Sequence, residues 1–150
     1  MSTSQLEMLT DLARDSRDQA GKVLAQERQT EQQTTAQLQS LLSYRAEYAE
    51  RLQKAMRDGI DPATMYNYQQ FLASLDTALS RARQALATQQ ASVQQSQKNW
   101  QQEQRKLSSY DTLASRRLLE EHRRSERHEQ KTNDDLVTSR LARQHNDTPH

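Results

Sequence analysis

His122 and Glu126 stand four residues apart in a charged stretch, a spacing that brings an imidazole and a carboxylate onto one face of a helix. Two donors are half of what a structural zinc ion takes. The other histidines, His128, His145 and His150, have no second histidine three or four residues away, and no HExxH motif is present, so the pair reads as a solvated ion pair and no metal is expected. The glycines, Gly21 and Gly59, are isolated and build no phosphate-binding loop. The chain contains no cysteine, which removes disulfides, thiolate chemistry and Cys-ligated zinc. A nucleophilic serine or a general-acid carboxylate would need a concave, water-excluding pocket. No cofactor and no catalysis are expected.

Two other groups of residues point to binding. Arg116, Arg117, Arg123, Arg124, Arg127 and Lys131 are interleaved with Glu120, Glu121, Glu126 and Glu129, and pairs such as Glu120 with Arg123 or Arg124 would partly neutralise them. No aromatics lie between the arginines to stack bases, and the formal net charge is only +1. A solvated face or an electrostatic contact with a protein is favoured over nucleic acid. The second group is aromatic. On a heptad with Met65 at position a, Tyr66 falls at b and Phe71 at g, and Phe71, Leu75, Ala78 and Ala82 follow one another as a ridge along one flank. Such a ridge either shields the edge of a helical seam or docks a partner.

Helices must carry both groups. Only 33% of the 150 residues are hydrophobic and mean hydropathy is −1.14, too little for a thick core. Gly and Pro are rare and helix formers abundant, which argues against disorder and for a fold that buries one narrow seam. Ser4-Gln5-Leu6-Glu7 matches a capping box. From there the expected a and d positions are Leu6, Leu9, Ala13, Ser16, Ala20, Val23, Glu27, Thr30, Thr34, Gln37, Leu41, Tyr44, Tyr48, Arg51 and Ala55, with Leu24, Leu38, Leu42 and Leu52 beside them. Gly59 can close a helix in the left-handed conformation, and Asp61-Pro62 is an N-cap followed by a first-turn proline. Beyond it the repeat Met65, Tyr68, Leu72, Leu75, Leu79, Ala82, Leu86, Gln89, Val93, Ser96, Trp100, Glu103, Leu107, Tyr110, Ala114 holds a 3.5-residue spacing.

The reading is an all-α fold, a long antiparallel two-helix coiled-coil hairpin with a longer second helix, in one domain. Its first helix covers about 4–58, its bend about 58–61 and its second helix about 62–131, followed by a frayed polar tail. Several facing partners between Leu86 and Ser96 suit Glu27, Thr30, Thr34 and Gln37, so the register stays open. No apolar run approaches the roughly 20 residues of a membrane span, and residues 1–11 lack the pattern of an export signal.

Asn67-Tyr68-Gln69-Gln70-Phe71 just after the bend, with Leu41-Leu42-x-Tyr44-x-x-x-Tyr48 before it, resembles the flagellar FliJ family, and the similarity extends to the two-helix plan and the region of Trp100. The resemblance implies a cytoplasmic, non-enzymatic component of the flagellar type III export apparatus, peripheral at the cytoplasmic face of the inner membrane. Family members look like the coiled-coil shaft of rotary ATPases. They associate with the export ATPase ring, contact the membrane export-gate protein and handle export chaperones. By position, Gln37, Leu41, Tyr44, Tyr48, Phe71, Leu75 and Ala78 match the family's gate-docking surface, whereas Ala82 departs from the polar residue of some relatives. The arginines Arg116, Arg117, Arg123, Arg124 and Arg127 are then candidates for an ATPase or other electrostatic contact. The alternatives are a generic coiled-coil scaffold or chaperone adaptor and, less favoured, an Arg-mediated nucleic-acid binder.

Overall fold

The computed structural model describes residues 2–146, which form two helices, α1 (Thr3–Asp58) and α2 (Pro62–Asn146). Within residues 15–104 they pack antiparallel as a hairpin. α1 starts ahead of the expected Ser4 box. Ser2 and Gln5 form the reciprocal cap instead, with the Gln5 amide donating to Ser2 Oγ at 3.2 Å and the Ser2 amide to Gln5 Oε1 at 3.1 Å. Ser-x-x-Gln caps as Ser-x-x-Glu does, and the earlier start gains further backbone bonds, among them Leu6 N–H to the Ser2 carbonyl at 3.0 Å.

The bend is built from the residues that the sequence marks. Gly59 sits at φ +94°, where a Cβ would be strained. Asp61 then caps α2, accepting from the Thr64 hydroxyl at 2.5 Å and the Thr64 amide at 3.4 Å.

The described residues divide into two compact units, one of residues 15–104 and one of residues 2–14 together with 105–146. In the first, the α2 row from Met65 to Trp100 faces inward as the heptad requires, with Leu75, Leu79, Ala82 and Ser96 buried. On α1 the expected row through Ala20, Glu27, Thr34, Leu41, Tyr48 and Ala55 also faces inward.

The second α1 row corrects the sequence reading. Arg17, Leu24, Glu31, Leu38, Arg45 and Leu52 turn toward α2, while Ser16, Val23, Thr30, Gln37, Tyr44 and Arg51 are exposed. The two rows lie one residue apart. Only the former holds three leucines, each contributing about 1.5–3 kcal/mol when fully buried, against one valine in the latter.

Polar and aromatic contacts fix the register. Arg17 meets Gln104, Gly21 meets Trp100, Glu27 meets Ser96, Arg45 meets Asp76 and Tyr48 meets Phe71. Steps down α1 are matched by closely similar steps up α2, and Glu27 takes Ser96 out of the several partners it could have had.

In the other unit Leu6, Ala13 and Leu107 are buried and Leu9, Tyr110, Ala114 and Arg117 half-buried. From Leu118 to His145 every residue is exposed, yet α2 remains helical through Asn146, well past the expected end at Lys131. A helix extended from a folded template escapes the nucleation cost, so helix-forming residues propagate it without burying anything. Thr132 and Thr138 bond back to the carbonyls of His128 and Asp134 at 2.9 and 2.8 Å. His150 lies outside the described residues.

Candidate functional site

Near the bend, α1 and α2 bring aromatic and charged side chains together. The Tyr48 and Phe71 rings lie 4.3 Å apart between centroids, tilted by 47°. The Arg51 guanidinium stands over Tyr48 at 5.1 Å from the ring centre and donates to Glu47 Oε1 at 2.7 Å. Next to them Arg45 forks Asp76, Nε donating to Oδ1 and Nη2 to Oδ2. The hydrogen bond from Arg45, helped by the charges of Arg45 and Arg83, holds the Asp76 carboxyl below the usual carboxylate range, and the same bond raises Arg45.

The expected docking residues divide by exposure. Phe71 is 41% exposed and Tyr44 55% exposed, and Gln37 also faces solvent. Leu41, Tyr48 and Ala78 are half-buried at the seam edge. Leu75, at 8%, and Ala82 belong to the core, so of the ridge Phe71 and Ala78 are the members that reach the flank. In a heptad starting at Met65, Leu75 and Ala82 occupy seam positions, and the seam claims them before any surface can. Sequence reasoning missed Arg45, Asp76, Glu47 and Arg51. The Glu47–Arg51 spacing was readable as an i, i+4 pair, but Arg45–Asp76 follows only from the register.

The basic cluster lies on the later part of α2. Arg116, Arg123, Arg124 and Arg127 are exposed and Arg117 is half-buried. Arg117 helps to line a groove of about 360 Å³ with Leu6, Asp11, Arg14, Leu118 and Glu121. The pair formed in this stretch is His122 Nε2 with Glu126 Oε1 at 2.9 Å rather than Glu120 with Arg123 or Arg124. Exposed pairs of long side chains gain little over hydration, so their partners are weakly dictated by sequence spacing. No cluster of three or more metal-ligating residues occurs among the described residues, nor any helix long and apolar enough to cross a membrane.

The sequence matches the family described as "Flagellar FliJ protein" over residues 1–146. The chain belongs to the flagellar FliJ family. It is 34% identical over 122 residues to the flagellar FliJ protein of Salmonella typhi, and 33% identical to that of Escherichia coli strain K12, each match covering 79% of this chain and 83% of the relative. In fold it is similar to a YscO homolog from Chlamydia trachomatis, with a TM-score of 0.67 over 97% of this chain and 94% of that one at 12% identity. FliJ membership makes the chain a component of flagellum biogenesis and protein export, in a family that is non-catalytic.

Proposed function

We propose that this FliJ-family chain serves flagellar export from the cytoplasm as the coiled-coil shaft of the export ATPase ring. It links that ring to the membrane export-gate protein and to export chaperones, at the cytoplasmic face of the inner membrane. The ATPase supplies the reaction, and this chain supplies contacts that differ among the ring's states.

The observation that supports this reading is the uncovered length of α2. Leu118 is 67% exposed, and Leu119, Leu136, Val137 and Leu141 are exposed as well, spread among Arg, Glu and Lys. A helix with isolated apolar points in a charged surface suits an enclosing protein better than permanent burial in its own fold. The Tyr48–Phe71 region near the bend would serve the gate, and the arginines Arg116, Arg117, Arg123, Arg124 and Arg127 the ring.

The test compares the full chain with one ending at Arg117, each added to purified export ATPase. The full chain is expected to promote ring assembly and ATP hydrolysis. The truncated chain is expected to keep its melting transition and lose the stimulation. Equal stimulation by both would refute the shaft, and absence of any ATPase binding would leave a scaffold or chaperone adaptor.

A further inference from the structure

Arg51 stands outside the seam, and its position has a specific cause. Glu47, one turn back, holds its Nη2 at 2.7 Å, and the guanidinium thereby lies over Tyr48, 5.1 Å from the ring centre. Tyr48 in turn packs against Phe71, the chain's sole phenylalanine. An ion pair on α1 is thus connected, through one ring, to a half-exposed aromatic on α2. The Arg45–Asp76 fork joins the same two helices beside it.

A two-helix fold has no third element to hold an exposed phenylalanine. A free ring samples several rotamers, and a partner that binds it must freeze them, whereas a ring already packed presents one orientation and loses less entropy on binding. Planar guanidinium groups suit this task because they stack on an aromatic face while remaining hydrated at their edges. Arg45 binds both Asp76 oxygens, which restricts sliding of α1 against α2 where Tyr48 meets Phe71.

We propose that Arg51 and the Arg45–Asp76 pair are positioning residues of the docking surface: they fix the Tyr48 and Phe71 rings in the orientation that the partner meets, and act through those rings. The proposal rests on the gate-docking reading above. It differs from that reading in assigning a role to three charged residues, none of them among the seven expected to dock.

Phe71 can be read alone. The full-length chain labelled with 4-fluorophenylalanine gives a single fluorine resonance, because position 71 is the only site. Arg51→Met keeps the aliphatic stem and removes the guanidinium, so it should shift and broaden that resonance at an unchanged melting temperature. It should also weaken binding to the cytoplasmic part of the export-gate protein about two- to fivefold, the scale of one exposed cation–π contact. Arg51→Lys should restore part of both, and Asp76→Asn should broaden the resonance similarly. Phe71→Ala is the control, expected to lose binding by more than any of these. Normal gate binding by Phe71→Ala overturns the docking reading while the fluorine spectrum still reports on ring positioning. Loss of binding in Phe71→Ala, with an unchanged resonance in Arg51→Met, overturns the positioning role. A shifted resonance with wild-type affinity overturns it also.

Discussion

Gly21 faces Trp100 across the seam, and a methyl group at position 21 would lie 3.4 Å from both Cδ1 and Nε1 of the indole. That is contact with little slack. Glycine inside a helix costs about 1 kcal/mol relative to alanine, and the half-buried indole has room to yield slightly. Gly21→Ala is therefore expected to stabilise by up to about 1 kcal/mol. Gly21→Leu places branches where the indole lies and should destabilise by about 1–3 kcal/mol. Trp100 is the only tryptophan, so its fluorescence follows both the melting curve and the exposure of the indole.

The inward turn of Leu24 rather than Val23 can be checked with two truncations. Leu24→Ala removes a buried side chain and should cost about 2–3 kcal/mol, toward the low end for a leucine because a thin seam can collapse. Val23→Ala should change stability by no more than about 0.5 kcal/mol. Chemical denaturation followed by circular dichroism measures both, and a larger loss from Val23→Ala would reverse the assigned phase. Leu75→Ala should behave as Leu24→Ala does, so a binding defect in that variant reads on folding before docking.

Ser96 is buried and its hydroxyl donates to Glu27 Oε2 at 2.6 Å. Ser96→Ala should cost about 1 kcal/mol by leaving the carboxylate short of a donor. Replacing both, with Glu27→Leu and Ser96→Ala, should recover that loss or exceed wild-type stability while weakening the preference for one register. Paired spin labels on α1 and α2 would then show a broader distance distribution than in the wild type. An unchanged distribution would assign register to the other cross-seam contacts alone.

Acid should loosen the bend and its neighbourhood before the rest. The Thr64 hydroxyl and amide hold the Asp61 carboxyl below the usual carboxylate range, as Arg45 does for Asp76. Both groups ionise more readily folded than unfolded. Their stabilisation is present above the unfolded carboxylate value of about 4 and is lost as pH falls below it, through the lower folded values. Melting temperatures from pH 7 to pH 2 should fall less steeply for Asp61→Asn and Asp76→Asn than for the wild type. Parallel curves would remove these two groups from the acid response.

Residue types and their spacing dictate the helices, the bend and the α2 seam. Helix formers with two glycines and two prolines leave few other structures, Gly59 and Asp61-Pro62 meet specific backbone requirements, and a 3.5-residue repeat can face only one way when its alternative face is charged. The aromatic residues beside the bend were legible for the same reason. Where two rows one residue apart were both partly apolar, as on α1, periodicity could not choose, and packing against α2 selected the row with Leu24, Leu38 and Leu52. The tertiary structure alone decided what depends on two segments meeting: Glu27 with Ser96, Arg45 with Asp76, Tyr48 with Phe71. α2 reaches Asn146, past the expected Lys131, because an extension of an existing helix needs only propagation.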